Sequence, residues 1–364
     1  MRILVYLGHP AQYHFFKNAI RILKTDGHDV LILIKTKDIL EQLLQEEGLE
    51  YRNIQIKNRK KTLIHILLAC ISRTYKVTKL AKRYKADILL GTDASVAQAA
   101  FLLKKKCITT LEDDYEVIKK LCKLTYPFTN TILVPKICDV GKWQNKKIGY
   151  EGYMKLAYLH PNRFNPEEKI KNHYIKEDKY VLIRLVQLTA HHDIGIKGLN
   201  DHLVRKIIQI VNSKGYKVYI SSEVELDVEL TPMQLKINPK DIHHVLSYAS
   251  LLISDSQSMS VEAAMLGIPS IRFSDFSGKI NVLEELENEY KLTFGVKTNE
   301  PEKLISLLED TLSYPNMKDT FQERRETMLT NKIDVTTFLC WFIENYPESG
   351  VIMKRNPDYQ YNFK

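Results

Sequence analysis

The amino-acid sequence predicts two α/β domains, each built around a parallel β-sheet. The chain has 364 residues, which is long for one hydrophobic core, and 44% of them are apolar, as in globular proteins. Short apolar runs alternate with amphipathic stretches up to residue 134, and the alternation starts again at residue 180. Such alternation implies βαβ crossovers, and these produce parallel sheets covered by helices on both faces.

The first half is predicted to contain six strands and five helices. Its apolar runs predict strands over 2–7, 29–35, 51–56, 86–91, 107–111 and 129–134. Helical periodicity predicts helices over 13–25, 37–47, 62–84, 95–105 and 115–124. The first strand begins at Arg2, and we find neither a signal peptide nor the roughly 20 apolar residues of a membrane span. We therefore expect a cytoplasmic protein.

The second half repeats the pattern after a segment over 161–179 that is rich in charge and contains two prolines, which we interpret as an interdomain linker. Strands are predicted over 180–186, 216–221, 251–254 and 269–273, and helices over 199–212, 240–248, 258–266, 282–289, 302–312 and 334–345. The predicted domains are 1–160 and 180–332, with 333–364 packing back toward the first domain. Ligands of such domains bind outside the carboxyl ends of the strands, so we expect a ligand in the cleft between the domains.

The net charge of +9 is distributed unevenly along the chain. Residues 1–160 contain 28 basic and 15 acidic residues, whereas the remainder contains 25 and 29. Much of the excess lies in the segment 57–85, which could rest on an anionic membrane surface or steer a diphosphate-linked acceptor. The alternative is an ordinary solvated basic face. No aromatic residues alternate with these charges as a stacking platform would require, so we expect no nucleic-acid partner.

The five cysteines are scattered and form no CxxC or Cys/His cluster. Neither a disulfide framework nor a zinc site is therefore indicated, in agreement with a reducing compartment.

The strongest local signal is the hydroxyl-rich turn that follows the predicted strand 251–254 and opens the next helix. Amide groups at a helix N-terminus can bind a phosphate, and Ser256 and Ser258 would add hydroxyl donors. Glu262, about one turn into the helix, could accept hydrogen bonds from two ribose hydroxyls. The alternative is that a serine only caps the helix and that Glu262 only complements its dipole.

This turn resembles the nucleotide-binding turn of GT-B glycosyltransferases and of hydrolysing UDP-N-acetylglucosamine 2-epimerases. The epimerase pattern is D-S-G-G-x-x-E-E-A-x-x-L-G-x-P, and it is matched at Asp255, Ser256, Glu262, Ala263, Leu266, Gly267 and Pro269. The two glycines are replaced by Gln257 and Ser258, which implies a tighter diphosphate pocket. The resemblance places Gln257 and Met259 beside the serines as further substrate-binding residues.

Other segments match the epimerases in the same order along the chain. The run 188–192 resembles their T-x-H-R loop, whose histidine, here His191, lies near the nucleotide phosphates. Gly91-Thr92-Asp93 resembles their G-D, and Thr110-Leu111-Glu112 resembles their H-V-E. Their P-E-E-x-N-R stretch is missing at 124–129, and their E-N is replaced at 193–194. The nucleotide half of the site is thus retained and the sugar-facing half is altered.

A closer resemblance extends over nearly the whole chain. The segments 8–17, 152–155 with 158–161, 190–195 with 197–199, and 255–259 together resemble an uncharacterised bacterial and archaeal family of the GT-B superfamily. This resemblance implies a GT-B fold, which consists of two Rossmann-like domains, and it implies no established reaction.

Three residues after strands of the first domain are candidates for the catalytic base: His14, Asp93 and Glu112. Histidine exchanges protons near pH 7, and we expect partial burial to raise the proton affinity of Asp93. Gly8 and His9 would approach the substrate after the first strand. Capping or packing roles are the alternatives for the histidines and for Asp93.

An acidic run could suggest a metal site, and a buried arginine could suggest a phosphate site. The run Glu112-Asp113-Asp114 lacks D-x-D spacing, and the superfamily generally needs no metal, so we expect no metal and no cofactor. Arg184, within a predicted apolar strand, would pair with Asp255 or Glu262 or bind the diphosphate.

The function that we predict is a metal-independent glycosyltransferase that moves a sugar from a nucleotide-sugar, most simply UDP-linked, to a glycan or lipid-linked acceptor in surface polysaccharide biosynthesis. The first alternative is an enzyme like the UDP-N-acetylglucosamine 2-epimerases, with Asp93 and Glu112 as acid and base. The second is a non-catalytic protein that binds nucleotide-sugars.

Overall fold

The computed structural model describes residues 1–37, 39–55, 63–186 and 198–364, with side chains for all of these except 63–67. The chain divides into two compact units. One comprises Met1–Arg163 and Lys332–Lys364, and the other comprises Phe164–Asn331.

The first unit contains a seven-stranded parallel sheet. Its strands are β1 (Arg2–Leu7), β2 (Asp29–Lys35), β3 (Arg52–Gln55), β4 (Ile88–Gly91), β5 (Lys106–Thr110), β6 (Thr131–Pro135) and β7 (Lys147–Tyr150). Its helices up to residue 163 are α1 (Pro10–Thr25), α2 (Leu40–Glu46), α3 (Leu63–Tyr84), α4 (Ala94–Leu103), α5 (Lys119–Thr125) and α6 (Leu156–Leu159). The strand order is β3-β2-β1-β4-β5-β6-β7, so the order reverses between β1 and β4.

The second unit contains a five-stranded parallel sheet in the order β12-β11-β10-β8-β9. Its strands are β8 (Tyr180–Leu185), β9 (Lys217–Ser222), β10 (Leu251–Ser254), β11 (Ser270–Phe273) and β12 (Thr293–Val296). Its helices are α7 (Glu168–Tyr174), α8 (Asp201–Ser213), α9 (Ile242–Leu246), α10 (Gln257–Met265), α11 (Asn281–Asn288), α12 (Pro301–Leu312) and α13 (Met317–Asn331).

The last two helices, α14 (Val335–Glu344) and α15 (Glu348–Arg355), belong to the first unit. The side chain of Asp334 caps α14 by accepting hydrogen bonds from the amides of Thr336 and Thr337, and it also pairs with Arg163. Thr336 Oγ1 donates to the carbonyl oxygen of Ala157 at 2.6 Å, which ties α14 to α6. Short 3₁₀ helices span Gly141–Lys146, Thr231–Met233, Pro239–Asp241 and Pro357–Phe363.

Each sheet is buried because its central strands are almost continuously apolar. Ile3 to Leu7 of β1 have no exposed surface, and in the second unit Val181 and Ile183 of β8 pack against Val204 and Ile207 of α8. Burial on both faces is what parallel sheets with crossover helices require. The predicted parallel α/β fold of both halves is confirmed.

The structure contains elements that the sequence pattern did not predict. The strands β7 and β12 lie at sheet edges, and each is four residues long with a glycine inside, so neither has a continuous apolar run. The segment 161–179, which we interpreted as a linker, contains α7 and belongs to the second unit from Phe164 onward. Tyr174 anchors α7 because its hydroxyl donates to Asp241 Oδ2 at 2.7 Å.

None of the helices in the described ranges combines the length and the apolar character needed to cross a membrane.

Candidate functional site

The turn between β10 and α10 is stabilised by its own serines. Ser254 Oγ accepts a hydrogen bond from the amide of Ser256 at 2.8 Å, and Ser256 Oγ accepts one from the amide of Met259 at 3.2 Å. Ser256 therefore caps α10, as the alternative interpretation proposed, while its hydroxyl hydrogen is left as a donor. The amides of Gln257 and Ser258 open the helix, where intrahelical partners are absent and an anion is favoured.

Asp255 joins this turn to the end of β8. It is buried, and its Oδ1 accepts a hydrogen bond from the amide of Val186 at 2.9 Å. Burial raises the pKa of Asp255 to about 6, although hydrogen bonds from backbone amides oppose the rise. Gly198 lies against this carboxyl group, and a Cβ at that position would be 2.5 Å from Asp255 Oδ2, so only glycine fits.

Gln257 occupies the position of the first glycine in the epimerase pattern, and Met259 directly follows the position of the second. Both side chains contact the second unit. Gln257 Nε2 donates to Ser274 Oγ at 2.8 Å, while Gln257 Oε1 is buried with no hydrogen-bond partner among the residues described. The side chain of Met259 is buried, and its backbone amide already donates a hydrogen bond to Ser256 Oγ. Ser258 is half-buried in the first turn of the helix.

Glu262 lies beside a histidine that the sequence analysis did not identify. Its Oε1 is 3.4 Å from His243 Nε2, and the histidine, on α9, is only 4% exposed. The residues are 19 positions apart, and no motif connects them. The carboxylate that we predicted to bind a ribose thus has a buried imidazole that holds its orientation.

The predicted partners of Arg184 within the protein were wrong. Arg184 Nη1 donates to Ser221 Oγ at 2.8 Å, and Nη2 forms an ion pair with Glu223, so neither Asp255 nor Glu262 is its partner. The reason is geometric, because β8 pairs in register with β9 and places Arg184 opposite Ser221. The predicted phosphate ligand His191, with the rest of the loop 187–197, lies outside the described residues.

In the first unit, Gly8 and His9 form the connection from β1 to α1. The amide of Gly8 donates to Gln12 Oε1 at 2.7 Å. His9 is exposed and caps α1, because its Nδ1 accepts a hydrogen bond from the amide of Ala11 at 3.2 Å. The capping alternative therefore describes the Nδ1 atom of His9.

His14 lies one turn further along α1 and packs between two tyrosines. Its ring centroid is 5.1 Å from that of Tyr13 and 5.1 Å from that of Tyr158. Tyr158 belongs to α6 and is the first residue of the segment 158–161, which carries part of the family resemblance. The imidazole is half-buried, which places it at the surface of this aromatic cluster.

Asp93 caps α4 and is paired, contrary to our expectation of a raised proton affinity. Its Oδ1 accepts hydrogen bonds from the amide of Ser95 at 3.0 Å and from Ser95 Oγ at 2.7 Å. Its Oδ2 is 3.4 Å from Nη2 of Arg73, a buried residue of α3. Burial alone would raise the pKa of Asp93, but Arg73, Lys35 and the Ser95 bonds outweigh it and lower the pKa. The carboxylate is a weak base.

Glu112 also has partners within the protein, and they lie in the segment 152–155, which is part of the family resemblance. Its Oε1 accepts a hydrogen bond from the amide of Met154 at 2.6 Å, and its Oε2 forms an ion pair with Lys155. Glu112 and Lys155 are each 8% exposed. In the described ranges, no three His, Cys, Asp or Glu side chains are grouped as metal ligands would be, and Glu112-Asp113-Asp114 is no such group.

A family model with the description "Protein of unknown function (DUF354)" matches residues 1–292. The chain belongs to the DUF354 family. This finding agrees with the predicted resemblance to an uncharacterised family. No curated protein sequence matches this DUF354 protein.

Solved structures with two similar domains cover almost the whole DUF354 chain. An MnaA–UDP co-structure from S. aureus is 11% identical with a TM-score of 0.65 and covers 96% of this chain and 97% of its own. The UDP-GlcNAc 2-epimerase of Methanocaldococcus jannaschii is 16% identical with a TM-score of 0.62, covering 90% and 100%. A glycosyltransferase of Rickettsia africae is 15% identical with a TM-score of 0.59, covering 96% and 98%. These similarities confirm the GT-B fold.

Proposed function

We propose that this DUF354 protein is a metal-independent glycosyltransferase that uses a nucleotide-sugar donor, with UDP as the nucleotide. The observation that carries the proposal is the β10–α10 turn, where a buried strand ends at serine hydroxyls and at the open amides of Gln257 and Ser258. The MnaA–UDP co-structure from S. aureus, which shares the fold, contains UDP. A diphosphate is the anion that suits two adjacent amides and two hydroxyls.

The second unit would hold the donor. The amides of Gln257 and Ser258 and the hydroxyls of Ser256 and Ser258 would bind the diphosphate. Glu262 would accept hydrogen bonds from the ribose, held in orientation by His243 at 3.4 Å. His191 remains a predicted phosphate ligand, and Arg184 is assigned to its ion pair with Glu223 rather than to the phosphates.

The first unit would supply the base, and His14 is the best of the three candidates. Despite burial, the pKa of the Asp93 carboxyl group is lowered, chiefly by Arg73, so Asp93 is a poor proton acceptor. The Glu112 carboxylate is already engaged by Lys155 and by the amide of Met154. A histidine accepts protons near pH 7. During transfer, the acceptor oxygen bonds to the anomeric carbon, its proton passes to His14, and the bond to the diphosphate breaks. The helix terminus stabilises the charge that develops on the departing UDP.

The acceptor would be a glycan or a lipid-linked carrier, as in surface polysaccharide biosynthesis. The net charge of +13 within residues 1–160 supports an anionic partner for this part of the chain. A lipid-linked acceptor would bring the protein to an anionic membrane surface.

The second candidate function is a 2-epimerase, which the fold shared with the M. jannaschii enzyme favours. Such an enzyme would need Asp93 and Glu112 to exchange protons with the sugar. The ion pairs of both carboxylates oppose that role, as does the absence of the P-E-E-x-N-R stretch at 124–129.

Thermal melts test the proposal directly. In excess EDTA, UDP-N-acetylglucosamine at about one hundred times its Kd stabilises a folded protein by roughly 2.7 kcal/mol, which raises the Tm by several degrees. We expect this increase with UDP-sugars and a smaller one with ADP-sugars. An increase that requires Mg²⁺ or Mn²⁺ would overturn metal independence, and no increase with any nucleotide-sugar would overturn the function.

A further inference from the structure

Three helices of the first unit expose large apolar side chains to solvent. On α3, Leu68 is 58% exposed, Ile71 57% and Tyr75 66%. On α4, Phe101 is 60% and Leu102 64% exposed, and on α5 Leu124 is 49% exposed. Of the 14 large hydrophobic residues exposed in the described ranges, these six belong to three consecutive helices. They are therefore concentrated in one part of the unit.

The six side chains lie on neighbouring surfaces because Gln98 of α4 connects all three helices. Thr74 Oγ1 of α3 donates to Gln98 Oε1 at 2.8 Å, and Gln98 Nε2 donates to the carbonyl oxygen of Leu124 at 3.1 Å. Phe101 and Leu102 follow Gln98 by three and four residues, so they share its face of α4. We call the surface made by the six apolar residues the α3–α5 face.

The spacing on α3 supports a continuous face. Leu68, Ile71 and Tyr75 are separated by three and four residues and form one stripe along the helix. Tyr75 directly follows Thr74, which carries the bond to α4. On α4, the ring of Phe101 also meets that of Phe128, just beyond α5, with centroids 5.5 Å apart.

The three helices that form the α3–α5 face contain no Asp or Glu. Exposed basic residues lie on these helices, in the turn after α4 and at the start of β5: Lys76, Lys79, Lys82, Arg83, Lys104, Lys105, Lys106, Lys119, Lys120 and Lys123. Two of them have partners within the protein, since Lys119 is paired with Glu116 and Lys76 Nζ donates to the carbonyl oxygen of Ile54. Arg73 is not among them, because it is buried against Asp93, which corrects part of the basic face predicted over 57–85. Residues 57–62 of that segment lie outside the described ranges.

We propose that the α3–α5 face is a docking surface for an anionic lipid bilayer. Its apolar side chains would enter the boundary between headgroups and acyl chains, and its lysines would contact lipid phosphates. Lysine side chains suit this arrangement, since their apolar stems lie along the interface while the ammonium groups reach the headgroups. A protein partner fits less well, because lysine is depleted in protein–protein interfaces. The proposal concerns a surface of the first unit and does not rest on the enzymatic function.

Vesicle flotation of the full chain is the test. We expect the protein to float with phosphatidylcholine vesicles that contain about 30% phosphatidylglycerol and to remain in solution with pure phosphatidylcholine. Raising the salt to about 0.5 M should release most of the bound protein, because screening weakens contacts between exposed charges.

Two variants separate the apolar and the charged contributions, with a melting curve to verify that each is folded. One is the double substitution Phe101→Ser and Leu102→Ser, and the other combines Lys104→Gln, Lys105→Gln and Lys120→Gln. Each should weaken binding to anionic vesicles by about tenfold or more. The control in the second unit carries Val228→Ser with Lys217→Gln, Lys236→Gln and Lys318→Gln, at exposed positions. It should bind as the unsubstituted chain does.

Three results would overturn the proposal. One is failure of the unsubstituted protein to bind anionic vesicles. Another is an equal loss of binding in the control variant. The third is self-association of the unsubstituted chain, measured by light scattering, that the Phe101 and Leu102 substitutions abolish, since the face would then join two copies of the protein.

Discussion

Glu262 and Asp93 are both carboxylates close to the carboxyl end of a parallel strand, yet their partners give them different properties. Asp93 is paired with a guanidinium and with the donors of Ser95, so its negative charge is already satisfied by the protein. The Oε1 atom of Glu262 lies 3.4 Å from Nε2 of His243. Each oxygen of a carboxylate can accept two hydrogen bonds, and we expect Glu262 to use such positions for the ribose hydroxyls.

Glu262→Ala should weaken UDP binding without unfolding the protein. Two charge-assisted hydrogen bonds to the ribose would be lost, at a cost of roughly 2–3 kcal/mol. Isothermal titration calorimetry measures the change, and Glu309→Ala at an exposed position of α12 is the control. Equal affinities of Glu262→Ala and the control would remove Glu262 from the donor site.

Asp255 should make the stability of the protein depend on pH. Its pKa is about 6 in the folded protein against an ordinary value of 3.8, because the carboxyl group is buried. Between these values the folded state holds a proton that the unfolded state has released. The stabilisation from this group is therefore complete below about pH 4 and is lost as the pH rises through about 6.

Asp255→Asn removes this titration and keeps an oxygen for the amide of Val186. Relative to the variant, the unsubstituted protein should lose roughly 3 kcal/mol of unfolding free energy between about pH 4 and pH 7. Urea unfolding followed by circular dichroism measures it, with the exposed Asp319→Asn as control. A difference between the two proteins that stays constant across this range would contradict the burial of the charge.

At the level of elements, the Glu112–Lys155 ion pair connects the end of β5 to the start of α6. Lys155 directly precedes α6, and the amide of its neighbour Met154 donates to the same carboxylate at 2.6 Å. Both charged groups are buried, so each depends on the other for compensation. The contact therefore links two elements of the first unit through Glu112, one of the three predicted candidates for the base.

Lys155→Met should destabilise the first unit by roughly 3–5 kcal/mol, because Glu112 would be left as an uncompensated buried charge. Chemical denaturation measures this loss, and adding Glu112→Leu should restore part of it. Lys136→Met is the matched control, since its ion pair with Glu151 involves a lysine that is 62% exposed. That pair should contribute less than about 1 kcal/mol. Similar losses for both lysines would contradict a buried pair.

At the scale of the whole molecule, the shared GT-B fold is compatible with transfer and with epimerisation, and the chemistry at sugar carbon 2 separates them. An epimerase that forms a 2,3-unsaturated sugar must exchange the proton at this carbon, whereas a transferase leaves the carbon untouched. The carboxylates that would exchange it, Asp93 and Glu112, are both held in ion pairs.

Incubation with UDP-N-acetylglucosamine alone in deuterated water should therefore give no deuterium at carbon 2, and only slow release of UDP to water. NMR spectroscopy of the recovered sugar measures both outcomes, with heat-denatured protein as the control. Deuterium incorporation that Asp93→Asn abolishes would refute the transferase and establish the epimerase.

The sequence by itself determined the two parallel sheets, most of their strands and the position of the β10–α10 turn. These features depend on apolar periodicity and on short motifs, which act between residues close together in the chain. In the part of the chain that the structure describes, the strands β7 and β12 and the helices α6, α7, α13 and α15 were not predicted.

The tertiary structure alone decided which charged side chains meet. Asp93 pairs with Arg73, Glu112 with Lys155, Arg184 with Glu223, and Glu262 lies beside His243. These partners come from different elements, so no local pattern relates them. Since the proton affinity of a carboxyl group depends on its burial and its nearest charges, only the folded arrangement showed that Asp93 is a weak base and that Asp255 holds its proton more tightly.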